Sequence, residues 1–489
     1  MSPHVRDLAY RPDASRYMER LLDHPWPVWL DSGRPFSDQG RFDILTAAPV
    51  ATLVTRGADS EWCAWGLSGR SSADPFELLS ELLGPKRETV PGLPFIGGAI
   101  GYFGYDLARR FVPLPNRARD ADRLPELMVG IYDWALILDH VRGRACLVGW
   151  DAHRLDTWAA RLVAPVARPA REPFQTLGPI ESNLTPAVYL QALRRIREYL
   201  IAGDCYQVNL AQRFAAPARG DPWTAYQRLR ALNAAPFGAY LDLPGVQILC
   251  ASPERFLQVR DGWVETRPIK GTRPRADDPA EDARLVESLR LSPKERAENV
   301  MIVDLLRNDL GRVCAIGSIQ VPALFEVETF AHVHHLVSTV RGRLAAGRTA
   351  LDLLRAAFPG GSITGAPKRR AMEIIEELEP DRRGVYCGAI GYLGFDGAMD
   401  TNIVIRTLIQ SQGVAQVWAG GGIVIDSDPA SEYRETYHKA APLLELLQSD
   451  VQHSVPLHRL CAQDHACPRG RADPLACRDD IPNVSSERI

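Results

Sequence analysis

No apolar run in the 489-residue sequence is long enough to cross a bilayer, so a helical membrane protein is not expected. The amino end, Ser2-Pro3-His4-Val5-Arg6-Asp7, has none of the apolar core of a signal peptide, and a cytoplasmic location follows as the expectation. Charge of a single sign is missing too. A net charge of -3 with both signs mixed throughout leaves no broad basic face for nucleic acid and no polybasic run for anionic lipid, so neither partner is expected. Cysteine is sparse, nine residues in all. Cys63, Cys146, Cys205, Cys250, Cys314 and Cys387 stand singly in ordered-looking sequence, as buried thiols do in a reducing compartment. Cys461, Cys467 and Cys477 share a polar tail with His458 and His465, at spacings that fit no zinc finger or ribbon. The histidine group His332, His334 and His335 has no acidic or thiol companion, which argues against zinc and leaves a hydrogen-bonded core histidine or an acid/base group.

What is present is globular. Apolar residues make up 46% and charged residues 24%, enough for a large core and, on length, two or three domain-sized units. Up to about residue 179, strand-like runs at 28–30, 95–101 and 127–139 alternate with Gly, Pro and Asp, and a helix is expected over 155–162. The proline-rich stretch 164–173 has the composition of a linker. The chain is therefore divided into an amino-terminal region 1–179, a second region 180–448 and a polar tail 449–489 expected to be disordered. In the second region the pattern predicts a helix over 186–202 and a strand over 206–215.

A lysine in an unusual setting lies at the centre of that region, in Glu265-Thr-Arg-Pro-Ile-Lys270-Gly-Thr272. Apolar neighbours favour the neutral amine, which is a nucleophile or a base, although an exposed turn lysine would carry the same letters. Gly271 permits a tight turn or a close approach. A strand over 246–251 running into Ser252-Pro-Glu-Arg-Phe256, and a second over 263–267, read as a hairpin that brings Glu254 and Lys270 to one cavity. That pairing suits acid and nucleophile chemistry, or a cross-strand ion pair. Pro293 opens a helix over 294–310 with Val300, Ile302, Val303, Leu305 and Leu306 as its buried stripe, and Glu295 and Glu298 on one face. A second helix, over 428–448, carries Glu432, Glu435 and Lys439 on one face. Four carboxylates brought together need a cation, and Mg²⁺ takes such oxygen ligands; two solvated helix faces are the alternative.

Phe358-Pro-Gly-Gly-Ser-Ile-Thr-Gly-Ala-Pro-Lys368 resembles a phosphate loop but puts Ala366 and Pro367 between glycine and lysine, so it fails that pattern and offers instead backbone N–H groups at the start of a helix over 368–378. Arg406, among Val404, Ile405, Thr407 and Leu408, points to an anion partner or a structural salt bridge, and Gly420-Gly-Gly422 allows a flat ligand close to the backbone.

With Ser252-Pro-Glu-Arg-Phe256, Pro268-Ile-Lys-Gly-Thr272, Arg296-Ala-Glu-Asn299, His335-Leu-Val-Ser338, Gly360-Gly-Ser-Ile-Thr-Gly-Ala-Pro-Lys368 and Glu432-Tyr-Arg-Glu435 in this order, the sequence resembles the chorismate-utilising enzymes up to about residue 447. The resemblance implies an α+β fold, a large two-subdomain antiparallel β-sandwich flanked by helices. Lysine at position 270 resembles the branch that aminates chorismate at C4 on the route to p-aminobenzoate and folate, since the anthranilate-forming branch carries alanine there. It further implies Lys270 as a nucleophile at ring carbon C2, Glu254 as the acid for the C4 hydroxyl, His335 near the developing charge and Thr272 on the ammonia route. Mg²⁺ would be held by Glu298 and Glu435, with Glu295 and Glu432 behind them. Gly365, Tyr392, Arg406, Gly420, Gly421, Gly422 and Lys439 would hold the substrate carboxylates. A tryptophan would lie against Ser32, Arg41, Phe42, Pro236, Phe237 and Gly238, although Gln39 and Gly40 replace an aromatic and a hydroxyl residue. No Gly-x-Cys-x-Gly elbow is present, so ammonia is expected from a separate glutamine amidotransferase subunit. Anthranilate or isochorismate formation, a lysine Schiff-base enzyme and a non-catalytic amino-acid sensor are the competing readings.

Overall fold

Strand residues alternate faces with period two, and in this chain the alternation builds two large antiparallel sheets. The computed structural model describes residues 2–165, 171–330 and 333–448. His332, residues 166–170 of the expected linker, and the 449–489 tail with its cysteines and histidines lie outside the described residues.

One sheet runs from His4–Leu8 through Arg144–Gly149, Trp134–Asp139, Phe42–Thr46 and Val28–Asp31, then continues with Phe237–Leu243, Val246–Ser252, Thr407–Ser411, Val414–Ile423 and Gln207–Arg219. The other begins with Ile269–Pro274, Val333–Arg343, Trp263–Thr266, Arg255–Arg260, Met399–Ile403 and Ala389–Gly394, and ends in five amino-terminal strands from Gly98–Phe103 to Leu67–Ser71. Amino- and carboxyl-terminal strands thus share both sheets. Val28, Ile44, Ile137 and Ile248 of the first sheet pack on Ile100, Tyr102 and Ile390 of the second. This is the expected α+β sandwich, its interior closed by apolar side chains from both inner faces.

Helices cover the outsides. Tyr189, Leu193 and Ile196 of the helix Pro186–Ile201 and Ile374 and Ile375 of Lys368–Leu378 pack on Val208 and Leu210. The helix Pro293–Gly311 starts where the sequence predicts, with Pro293 in the first turn and the Ser292 hydroxyl accepting from Glu295 N. Its buried face is Asn299, Ile302, Val303, Leu306 and Leu310, while Val300 is 47% exposed. Residue 300 is a hundred degrees around the helix from its neighbour, so it falls off the stripe it was expected to join. Among the six isolated cysteines, Cys63 is exposed and the other five are buried.

Two apolar runs change sheet in mid-course. The run 127–139 breaks at Asp133, giving Leu127–Tyr132 to one sheet and Trp134–Asp139 to the other. The expected hairpin is corrected in the same way. Val246–Ser252 lies in the first sheet, and Trp263–Thr266 pairs in the second with Arg255–Arg260. The chain crosses between sheets at Ser252-Pro253-Glu254, which is what places Glu254 at the site. Among the described residues, no helix is long and apolar enough to cross a membrane.

Candidate active site

Lys270 owes its setting to an irregular strand. Ile269–Pro274 pairs with Val333–Arg343, but the register slips between Ile269 and Thr272, so Lys270 and Gly271 form a bulge. Bulges re-aim side chains. Gly271 has φ of +83°, which calls for glycine, and a Cβ there would press on the ends of the Leu289 and Glu295 side chains, at 2.8 and 3.0 Å. The half-buried Lys270 donates from Nζ to the Ser362 carbonyl at 3.4 Å. Burial pulls its amine below the ordinary lysine range, opposed by the carboxylates of Glu298, Glu254 and Glu435.

Glu254 is 6% exposed. Its backbone is pinned where the chain changes sheet, with Ile403 N donating to Glu254 O at 3.0 Å and Glu254 N donating to Ser252 Oγ at 3.2 Å. Burial raises its carboxyl, held back by the Ser362 hydroxyl and by Lys270. An amine pushed toward neutrality and a carboxyl pushed toward protonation lie within electrostatic reach of each other, the states a nucleophile and a general acid need.

The two E-x-x-E helices meet beside this pair. Each carboxylate has a cation: Arg273 lies 3.3 Å from Glu295, Lys439 2.6 Å from Glu435, and Lys294 reaches Glu298 at 4.0 Å and Glu432 at 3.9 Å. Burial raises Glu298 and Glu432. In Glu435 the same effect is outweighed by Lys439 and the carboxyl is lowered. Among the described residues no three acidic, histidine or cysteine side chains converge on one metal-sized point.

Around this centre, His335 Nδ1 and Thr272 Oγ1 share a hydrogen bond of 2.9 Å. Burial lowers His335 to about 4, so it is a neutral imidazole at pH 7. Arg406 donates to the Lys439 carbonyl at 2.7 Å and has no carboxylate partner among the described residues. Burial lowers it, opposed by Tyr386 and Glu435. Lys439 Nζ also donates to Gly420 O at 3.0 Å. A Cβ on Gly421 would stand 3.1 Å from Glu432, and one on Gly422 2.5 Å from Gln207 Nε2, so the glycine run admits the helix carboxylates on one face and two amide side chains on the other.

The structure departs from the sequence reading at Tyr392 and adds Tyr386 and Gln207 to it. Tyr392 is away from Lys270: its hydroxyl accepts from Arg260 at 2.8 Å and its ring meets Phe95 edge-on. Tyr386, six residues earlier, is the tyrosine within electrostatic reach of Arg406. It sits in the turn before the strand, stacked on Trp418, and its closeness to Arg406 is a tertiary fact without a local signal. Gln207 was also passed over; it is fully buried and its Oε1 lacks a partner. Lys368 of the loop that imitates a phosphate site ties Asp309 (2.7 Å) to the Ala357 carbonyl (2.6 Å), a structural duty.

The model of the chorismate binding enzymes matches residues 28–445. The chain belongs to this family. As a chorismate binding enzyme it is 51% identical to aminodeoxychorismate synthase component 1 of Klebsiella aerogenes, over 92% of this chain and all of the relative. It is 48% identical to the protein of that name from Escherichia coli, over 92% and 99%. The crystal structure of anthranilate synthase component I from Streptococcus pneumoniae shares the fold with a TM-score of 0.73 and 34% identity, over 82% and 91%.

This chorismate binding enzyme also has a cavity of about 710 Å³ between its sheets, apart from Lys270. Arg41, Phe42, Pro236, Phe237 and Gly238 line it, together with Gln39, Gly40 and the displaced Tyr392. Ser32 does not. Its hydroxyl is buried without a partner, and a Cβ on Gly40 would meet Ser32 Cβ at 2.5 Å.

Gly365 gives a stability test. Its φ is +146° and a Cβ would lie 2.1 Å from the Gln207 carbonyl and 2.8 Å from Ala371. Gly365→Ala is expected to cost about 2–4 kcal/mol and lower the thermal midpoint by several degrees. A midpoint equal to the parent's would show that the Gly365–Ala366 and Gln207–Arg219 strands can separate to admit the methyl.

Proposed function

We propose that the chain converts chorismate and ammonia to 4-amino-4-deoxychorismate, the precursor of p-aminobenzoate for folate. The observation that carries this reading is the Lys270 amine, half-buried in a bulge and within electrostatic reach of a buried Glu254. The amine attacks ring carbon C2, the ring double bonds shift, and the C4 hydroxyl leaves as water with the proton of Glu254. The adduct nitrogen returns its extra proton to the Glu254 carboxylate. Ammonia then attacks C4, the double bonds return, and the C2–N bond breaks as Glu254 protonates the departing lysine nitrogen; the new C4 ammonium passes a proton back to Glu254, leaving a neutral lysine amine and a protonated carboxyl as at the start. Two successive displacements put nitrogen on the carbon that lost the hydroxyl, which one attack at C2 would not do.

Arg406 and Lys439 supply cationic partners for the substrate carboxylates, Tyr386 supports Arg406, and the glycine run with Gly365 leaves the ring room. Neutral His335 holds Thr272 rather than carrying a proton at neutral pH. Glu298 and Glu435, with Glu295 and Glu432 through water, suit Mg²⁺. The donors are hard oxygens, the Lys294 ammonium lies 4.0 Å from Glu298 and 3.9 Å from Glu432, and one or two carboxylates suffice when water and substrate complete the shell. When bound, the ion supplies a clamp on the substrate ring carboxylate and a Lewis acid. Glu298→Gln is expected to raise the Mg²⁺ concentration for half-maximal activity about tenfold; an identical titration removes Glu298 from the ligand set.

Ammonia comes from a glutamine amidotransferase partner in a cytosolic setting, in keeping with the "component 1" relatives and the free thiols. The interior cavity, with Arg41, Phe42 and Phe237 on its walls, is assigned to a tryptophan. The deciding experiment is mass spectrometry of the product from chorismate, Mg²⁺ and an ammonium salt. 4-Amino-4-deoxychorismate is expected, and anthranilate or isochorismate as the sole product would replace the proposal.

A further inference from the structure

A lysine nucleophile is useful only if its lone pair points at the carbon it attacks, and a four-carbon stem does not settle that by itself. Among the described residues its hydrogen bond is to the Ser362 carbonyl, at 3.4 Å, so whatever fixes that oxygen helps to set the aim of the amine. Ser362 lies in the short turn Gly361–Ile363, where no regular helix does so. The neighbouring backbone is well anchored. Arg383, itself paired with Glu379 at 2.7 Å, donates to Ile363 O at 2.8 Å and to Asn209 O at 3.1 Å. Asn209 N donates to Thr364 O at 2.8 Å. Among the described residues, one side chain besides Lys270 hydrogen-bonds to the Ser362 carbonyl oxygen: Asn209, donating from Nδ2 at 2.9 Å.

We propose that Asn209 is a positioning residue for Lys270, its side-chain amide and the lysine amine occupying the two lone pairs of the Ser362 carbonyl. The inference rests on the reading of Lys270 as the nucleophile. Asn209 comes from the strand Gln207–Arg219 of one sheet and Lys270 from Ile269–Pro274 of the other, so the shared oxygen registers the two sheets at the reacting group. A carbonyl that already accepts one strong donor is a poorer partner for a second. Asn209 therefore also weakens the hold of this oxygen on an ammonium and favours the neutral amine.

The test compares Asn209→Ala and the isosteric Asn209→Asp with the parent, using chorismate, Mg²⁺ and an ammonium salt. Turnover is expected to fall about tenfold to a hundredfold, with KM for chorismate within about twofold. The rising limb of the pH profile should move to higher pH, further in Asn209→Asp, where a carboxylate replaces the amide donor. Intact-mass measurement of the Lys270 adduct separates the two levels. No adduct in the parent, with full activity in Lys270→Ala, removes the nucleophile reading itself. A parent that forms the adduct beside variants that form it as fast, or that lose KM and thermal stability with the pH limb unmoved, overturns the role of Asn209.

Discussion

Lys270→Ala should lower the formation of 4-amino-4-deoxychorismate by about three orders of magnitude or more, the usual scale for removing a covalent nucleophile. The loss belongs to chemistry, because the fold does not lean on this side chain. The bulge is fixed by its neighbours, with Thr272 opposite His335 and Ile269 opposite Val337. Thermal stability should stay close to that of the parent, and the intact-mass adduct should disappear. Direct attack of ammonia at C2 is the route left open, so any residual product should shift toward the anthranilate type. An unchanged rate of C4 amination would refute the nucleophile.

Glu254→Gln should cost about 10²–10⁴ in turnover, and its pH profile carries the diagnosis. The active form has Lys270 neutral and Glu254 protonated. Burial lowers Lys270 and raises Glu254, so both shifts enlarge that population near neutrality. The rate rises with pH as Lys270 loses its proton and falls with pH as Glu254 does. The two groups interact, so the limbs of the parent belong to the pair. Glutamine removes the group responsible for the fall. Residual activity should climb to a plateau and stay there, and a falling limb that survives the substitution would assign the acid to another residue.

Much of this site was legible in the letters. Pro293 after Ser292, and Asp428 before Pro429, begin their helices where local capping chemistry says they must, with Asp428 accepting from Ser431 N at 2.8 Å. The three- and four-residue spacing of Glu295 with Glu298, and of Glu432, Glu435 and Lys439, puts each set on one helix face whatever the surroundings. Tyrosine was misread for the opposite reason. Tyr386 and Tyr392 both precede or lie in one strand-like stretch, and only packing decides that the first comes within electrostatic reach of Arg406 while the second turns to Arg260 and the cavity between the sheets. Two of the three cations that accompany the carboxylates escaped notice as well. Lys294 and Arg273 matter through partners on other elements.

The sequence by itself determined the chemical inventory: one lysine in apolar company, a carboxyl to serve it, paired glutamates on two helices, and the family to which these motifs belong. Periodicity and capping act over a few residues, so a linear reading captures them. The tertiary structure alone decided that Glu254 sits where the chain leaves one sheet for the other, that a slipped register redirects Lys270, and that an oxygen of the Gly361–Ile363 turn stands between Asn209 and the amine. Those outcomes depend on which distant strands pair and in what register, and side-chain alternation within a strand carries no information about its neighbour.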